Sequence, residues 1–180
     1  HNNACLHPRC QGWDLRTCVD CNADLGQHRL DEETRQKRQA EQDDAEKAQR
    51  TPHVDRIHRL GIRIAALLAF AYDHKCWSWP TWKVVRDIIV PATSATRCRY
   101  GELPETSGCF GPATVFMSHC WGALFGDVVG AACHGAKKDR IVWIDIFAVR
   151  QWPGNEADLD FRGVIKKCDA LVVSTSPAPG

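Results

Sequence analysis

Three short apolar stretches in the last part of the chain decide its fold: Ala113 to Trp121 (ATVFMSHCW), Arg140 to Phe147 (RIVWIDIF) and Ala170 to Ser174 (ALVVS). Each has the length of a strand and is rich in β-branched or aromatic residues. Helical patterns over Gly126 to Lys138 and over Asp158 to Cys168 separate them. Strands that alternate with helices favour a parallel α/β sheet with helices on both faces, so we expect a three-layer domain.

Composition argues against two classes of protein. The chain has 180 residues, 44% of them hydrophobic and 25% charged, which is typical of a globular protein. It has 23 basic and 22 acidic residues, and this balance disfavours a general nucleic-acid binder. A bilayer span needs roughly 18 to 20 apolar residues, whereas the longest apolar run, Ile64 to Tyr72, lies between Arg63 and Asp73. We therefore expect no membrane span.

Four segments follow one another along the sequence. They are a Cys/His-rich segment (1–28), charged and then amphipathic helices (29–75), a Trp- and Pro-rich connector with a short helix (76–112), and the α/β domain (113–180). The expected order is thus a small module, a helical linker and a single α/β domain.

The helical segment changes character at Thr51 and Pro52. Interleaved charges over 31–50 leave no apolar stripe, so we expect a solvated spacer helix there. Pro52 suits the first position of a second helix, with Thr51 as its cap. The apolar residues that follow recur at helical spacing and predict one buried helix: Val54, Ile57, Leu60, Ile64, Leu67, Leu68 and Ala71.

Tryptophans mark the connector. Trp77, Trp79 and Trp82 suit either an aromatic binding platform or anchors that fasten a small helix to the core, and we favour anchors. The helix that follows, with Val84, Val85, Ile88 and Ile89 on one face, is expected to end at Pro91.

Ten cysteines point to a metal site and to free thiols. Cys5, Cys10, Cys18 and Cys21 offer four thiolates for tetrahedral zinc, with His7 and His28 as substitutes. Because this segment has few aliphatic residues, zinc would supply its folding energy. Two disulfides or free thiols are the alternatives. The other six cysteines are scattered singly, which suggests free thiols in a reducing, cytoplasmic compartment.

Two motifs of the α/β segment resemble a known family. Residues 116–122 (FMSHCWG) resemble the first-strand signature of the fungal heterokaryon-incompatibility (HET) domain. Residues 142–145 (VWID), followed by 149–151 (VRQ), resemble its second-strand motif and the Gln after it, although Ala148-Val149-Arg150 stands where the family usually has Cys-Ile-Asn. HET domains are similar in fold to TIR domains. The resemblance covers about residues 113–176 and implies a flavodoxin-like sheet of about five strands, three of which are visible.

The resemblance implies signalling or defence through association with protein partners or with itself, together with binding of NAD or a related nucleotide. The segment after the second strand often mediates contacts in the family, so an exposed association loop is implied at Arg150, Gln151, Trp152 and Asn155. One alternative is an NAD-cleaving hydrolase, whose TIR-type catalytic Glu has no matching position in this chain. Another is a zinc-containing scaffold with no ligand at its sheet.

The expected ligand site lies at the carboxyl ends of the strands, where open α/β sheets bind their ligands. In flavodoxin-like order, Ser118 to Leu124 face Ser174 to Ser176 across the switch point, and Asp145 lies in the second strand near its end. The candidate ligand-binding residues offer donors, a stacking face and close backbone approach: Ser118, His119, Trp121, Gly122, Asp145 and Ser174. Each also suits a purely structural role.

Two kinds of chemistry find little support in the sequence. Neither a P-loop nor a G-x-G-x-x-G phosphate motif is present. His119 and Cys120 are neighbours on a predicted strand and point to opposite faces, so they do not form a catalytic dyad. We therefore name no catalytic residue.

Overall fold

The computed structural model describes the backbone of residues 19–175 and, within it, the side chains of residues 30–45, 48 and 51–175. The chain divides into two compact units, His1–Gln49 and Arg50–Gly180. Helix α1 (Val19–His58) contributes to both units.

The charged part of α1 is a solvated helix, as predicted. The described side chains from Leu30 onward in the first unit are exposed. Gln39 donates to the Asp43 carboxylate at 2.9 Å, four residues along the helix.

The predicted helix start at Pro52 is wrong, because α1 continues through Pro52 to His58. Pro52 removes one helical hydrogen bond. Within the second unit, burial of Val54 and Ile57 immediately beyond it stabilises the last turns of the helix.

The second unit is built on a five-stranded mixed sheet, which confirms the α/β prediction. The strands are β1 (Gly61–Arg63), β2 (Phe110–Gly111), β3 (Val115–Ser118), β4 (Ile141–Trp143) and β5 (Ala170–Val173), in the order β2-β1-β4-β3-β5. Strand β3 pairs in parallel with both β4 and β5. The three predicted strands are therefore parallel neighbours, and β1 and β2 extend the sheet beyond β4.

Strand β1 interrupts the single buried helix predicted over Val54 to Ala71. It pairs antiparallel with β2 and with β4. A Cβ at Gly61 would lie 2.8 Å from the Ala113 Cβ and 2.8 Å from the Ile141 Cγ2, so this close packing requires glycine. The helix resumes as α2 (Ile64–Asp73).

Each face of the sheet has its own apolar core, because successive strand residues point to opposite faces. One core joins Val115, Met117 and Val142 to α2 and to α5 (Phe125–Cys133). The other joins Phe116 and Trp143 to the end of α1 and to α7 (Phe161–Ile165). The Trp143 indole stacks on Phe116 and donates to the Ile57 carbonyl at 2.9 Å.

The remaining helices are short: α3 (Thr81–Val84), a π-helical turn (Val85–Ile89), α4 (Val90–Thr93) and α6 (Asp145–Ala148). The connector helix was expected to end at Pro91 but continues to Thr93. The helix expected over Asp158 to Cys168 is split into a 3-10 turn (Glu156–Leu159) and α7. Across residues 19–175, no helix has both the length and the apolarity to cross a membrane.

Candidate functional site

Three parallel strands end at one edge of the sheet, which we call the rim, and bring the predicted site residues together there. Ser118 is the last residue of β3, and Ser174 directly follows β5. The Ser174 amide donates to the Ser118 carbonyl at 2.9 Å. Asp145 was expected inside the second strand, but it is the first residue of α6, just beyond β4. The rim therefore combines Ser118, His119, Trp121, Asp145 and Ser174.

Asp145 is the centre of the rim. Its Oδ2 accepts a hydrogen bond from the Trp121 indole Nε1 at 2.8 Å. Its Oδ1 lies 3.5 Å from His119 Nε2. Both of these facing atoms are buried, and neither has a hydrogen-bond partner among the described residues. Buried polar atoms of this kind are rare in folded proteins and call for an explanation.

The His119 side chain is only 2% exposed. Burial lowers its pKa below the ordinary value, and the Asp145 carboxylate opposes that shift. His119 is therefore neutral at pH 7. With its proton on Nε2, neutral His119 can donate a single hydrogen bond toward Asp145. The His119–Asp145 pair therefore presents one donor, His119 Nε2, and one acceptor, Asp145 Oδ1.

The turn before α3 and the first residues of that helix hold the rim loop in place. The amides of Thr81 and Trp82 donate to the carbonyls of Ala123 and Trp121, both at 2.9 Å. In return, the Phe125 amide donates to the Trp79 carbonyl at 2.8 Å and the Gly126 amide to the Trp77 carbonyl at 2.9 Å. Residues 77–82 and 121–126 therefore form one backbone-bonded platform beside Asp145.

The preferred anchor role suits only one of the three connector tryptophans. Trp79 is partly buried and packs on the core, with the Lys83 ammonium 3.7 Å above its ring. Trp77 and Trp82 are 40% and 44% exposed. The backbone pairing places Trp82 beside the similarly exposed Trp121 and Trp77 beside Gly126, so Trp82 lies at the border of the rim.

Ser118 and Gly122 are both exposed, so the surface above the rim is open. A Cβ at Gly122 would touch only the Cys120 Sγ, at 3.7 Å. No neighbour in the described part of the chain therefore demands glycine at this position. The sequence led us to expect that another group comes close to the Gly122 backbone. Only a ligand could make that approach here.

The expected exposed association loop is largely tied to the fold. Arg150, Gln151, Trp152 and Asn155 are all half-buried, and only Pro153 and Gly154 between them are exposed. The Trp152 indole donates to the Thr93 hydroxyl at 3.0 Å, and the Asn155 amide donates to the Arg150 carbonyl at 2.8 Å. These polar side chains satisfy buried backbone and hydroxyl groups, which is why they do not face solvent.

Sequence reasoning missed a buried ionic network behind this loop. The fully buried Asp158 carboxylate accepts from the Arg99 guanidinium at 2.6 and 2.9 Å and from the Arg150 amide at 2.9 Å. His53 Nε2 of α1 lies 2.9 Å from the same carboxylate. No local pattern marks these residues, because they come from four separate parts of the chain.

Gln151 is the second residue whose place was missed. Its side-chain amide donates to the Val149 carbonyl at 3.0 Å and lies 3.5 Å from the Asp145 carbonyl. Gln151 therefore holds the segment after α6 close to the backbone of Asp145.

Most of the predicted zinc ligands, Cys5, His7, Cys10 and Cys18, lie outside the described residues. Cys21 and His28 fall in the backbone of α1, and their side chains lie outside the described part. Among the side chains that are described, no group of three His, Cys, Asp or Glu could hold a metal ion.

The six scattered cysteines, all in the described part, are free thiols: Cys76, Cys98, Cys109, Cys120, Cys133 and Cys168. Burial raises the pKa of Cys76 and of Cys168 to about 11, so neither is a reactive thiolate at pH 7. Cys120 is exposed at the rim, and His119 turns inward away from it.

Comparisons with protein-family models, with curated proteins and with solved structures gave no match. The residues of the rim and their geometry are therefore the features that bear on function.

Proposed function

We propose that this protein acts in intracellular signalling or defence, through association of its α/β unit and binding of a nucleotide at the rim. The observation on which the proposal depends is the pair of unpartnered buried atoms, His119 Nε2 and Asp145 Oδ1. They lie where open α/β sheets bind ligands, beyond the carboxyl ends of parallel strands and next to the switch point. Ligand polar groups there would satisfy both atoms.

The strand order supports the proposed kinship with HET and TIR domains. The second, first and third parallel strands lie side by side, as β4-β3-β5. Flavodoxin-like sheets begin with the same order. The two motifs that resemble the HET domain meet at the rim, since one contributes His119 and Trp121 and the other contributes Asp145.

The association part of the proposal is supported by strand β5, which lies at one edge of the described sheet. Its Leu171 and Val173 are 53% and 57% exposed and point to the same face. Apolar edge strands of this kind add strands from other chains. A second copy of this chain is the partner we propose, and Leu171→Lys should lower its average mass in light scattering. An unchanged monomer mass for both proteins would contradict self-association.

A titration of the full chain with NAD and with other nucleotides, followed by tryptophan fluorescence, tests the nucleotide part. We expect saturable quenching that Trp121→Ala abolishes. Absence of any saturable signal with every nucleotide would refute nucleotide binding and would favour a scaffold with no ligand at the sheet. Release of nicotinamide during the titration would instead establish the alternative, an NAD-cleaving enzyme.

Zinc binding by the N-terminal segment stays a proposal that rests on the spacing of Cys5, Cys10, Cys18 and Cys21. Metal analysis of protein purified without added zinc should give about one zinc per chain. Cys18→Ser should remove it. A metal-free protein whose four thiols are unreactive to alkylation would indicate two disulfides.

A further inference from the structure

We propose that the rim recognises a ribose hydroxyl of a nucleoside and does not recognise phosphate. This inference rests on the proposed nucleotide binding and specifies the part of the ligand that the protein contacts. Two independent features of the structure lead to it: an unsatisfied donor and acceptor suited to a hydroxyl, and the absence of an available phosphate site among the described residues around the rim.

A sugar hydroxyl matches the His119–Asp145 pair. A hydroxyl oxygen both donates and accepts, so it can donate to Asp145 Oδ1 and accept from His119 Nε2. The two atoms are 3.5 Å apart, which leaves one oxygen within hydrogen-bond reach of both. The position of Asp145 agrees with this, because dinucleotide-binding sheets also use an acidic residue to bond the ribose hydroxyl.

Access to the pair requires a local shift, because both atoms are buried. The Trp121 side chain is the group placed to move, since it is 40% exposed and bonded to the other Asp145 oxygen. Its indole also offers an apolar surface beside the carboxylate. Nucleic-acid bases stack favourably on exposed aromatic side chains of this kind.

Phosphate groups commonly bind at the N-terminus of a helix, through its free backbone amides. The helix that follows the rim loop, α5, does not offer them, and α6 begins with the Asp145 carboxylate itself. Its first two amides, those of Phe125 and Gly126, already donate to the Trp79 and Trp77 carbonyls at 2.8 and 2.9 Å. The acidic Asp127 also occupies its first turn and would repel an anion.

The basic side chains of the bordering segments are already paired. Residues 77–86, 118–126 and 145–151 contain three of them, namely Lys83, Arg86 and Arg150. Lys83 and Arg86 both bond the Asp87 carboxylate. The Arg150 guanidinium bonds Asp158 and the Gly154 carbonyl. A phosphate at the rim would therefore face the Asp145 carboxylate and would have to compete with Asp87 and Asp158 for the cations of these segments.

Calorimetric titration of the full chain tests the proposal. The ligands are adenosine, guanosine, cytidine and uridine, the 2′,3′-dideoxy analogue and the 5′-monophosphate of whichever binds best, and inorganic phosphate. We expect the dideoxy analogue to bind at least about tenfold more weakly, because hydrogen bonds to charged groups are strong. The monophosphate should bind within about threefold of its nucleoside, since phosphate gains no helix-terminal contact, and inorganic phosphate should not compete.

Matched variants locate the contact. Asp145→Asn should weaken nucleoside binding about tenfold, because it removes the charged acceptor. Asp127→Asn, which removes a carboxylate from the first turn of α5, should leave the nucleoside affinity unchanged. The dideoxy comparison uses the unaltered protein, so it decides the question even if Asp145→Asn fails to fold.

The outcomes separate this inference from the proposed function. Equal binding of the nucleoside and its dideoxy analogue would overturn the inference, and so would a monophosphate that binds more than about tenfold tighter, the mark of a phosphate site. Nucleotide binding itself would stand in both cases. Failure of every nucleoside and nucleotide to bind would overturn both.

Discussion

At the scale of single residues, His119 and Asp145 are the pair on which the functional argument depends. The lowered pKa of His119 means that the folded protein binds a proton less readily at this residue than the unfolded chain does. Stability therefore falls as the pH drops below about 6.5, the ordinary value for histidine, because the unfolded state gains the proton first.

His119→Gln should remove this loss of stability, because glutamine keeps a donor toward Asp145 but does not titrate. The check is urea unfolding at several pH values between 7 and 5. His134→Gln, at an exposed position, is the control and should keep the wild-type pH dependence. If the free energy of unfolding of His119→Gln falls with pH as steeply as that of the wild type, His119 does not contribute to the pH dependence.

Asp158 is the second decisive residue. Burial acts to raise the pKa of Asp158, but hydrogen bonds from Arg99 and from the Arg150 amide outweigh it and lower the pKa. The ionised carboxylate therefore stabilises the fold above its unfolded pKa of about 3.9, and this contribution is lost as the pH falls through the lowered folded value.

Asp158→Asn should destabilise the fold by about 1–3 kcal/mol, because Arg99 and the Arg150 amide lose their charged acceptor while Glu102 still pairs with Arg99. The measurement is the free energy of unfolding in urea at pH 7. Because asparagine does not titrate, the variant should also lose less stability than the wild type as the pH falls through the folded pKa of Asp158. Asp87→Asn, at a surface pair, should change stability little, and equal effects of the two substitutions would contradict the network.

At the scale of elements, α5 offers a matched pair of glycines. A Cβ at Gly126 would lie 2.7 Å from the Trp77 backbone carbonyl, whereas a Cβ at Gly130 would meet nothing within 4 Å. The same substitution in one helix therefore tests whether the tryptophan segment packs tightly on α5.

Gly126→Ala should destabilise by about 1–3 kcal/mol, because the added methyl pushes Trp77 away and strains the Gly126–Trp77 hydrogen bond. Gly130→Ala should stabilise by about 0.5–1 kcal/mol, because alanine loses less backbone entropy in a helix. Urea unfolding measures both. A Gly126→Ala protein that is stabilised as much as Gly130→Ala would show that residues 77–82 do not lie on α5.

At the scale of the whole molecule, the α/β unit is larger than the segment whose sequence predicts it. Residues 113–180 contain β3, β4 and β5, but β1, β2 and α2 come from earlier in the chain. The core on one face needs Ile62, Leu67 and Phe70, and the other needs Val54 and Ile57.

A fragment of residues 50–180 should unfold cooperatively, at a temperature within a few degrees of the full chain, since it contains the whole second unit. A fragment of residues 113–180 should not fold, because both faces of its sheet would lose the apolar residues from earlier in the chain that pack against them. Circular dichroism during heating distinguishes them. Cooperative unfolding of the shorter fragment would contradict this account of the core.

The sequence by itself determined the three parallel strands, the solvated charged helix and the set of residues at the rim. Runs of apolar residues, and the residues directly after them, are local features, so they can be read from the sequence directly. It also predicted the rim residues as a group, because the carboxyl ends of adjacent parallel strands must meet.

Only the tertiary structure decided the rest. Strand β1 exists because Gly61 fits against Ala113 and Ile141, and no local pattern shows that fit. The partners of Asp158, and the pairing of the tryptophan segment with the rim loop, depend on residues that are distant in sequence. Burial and the pairing of buried polar groups are properties of the packed chain, so these features appear only once the sheet has assembled.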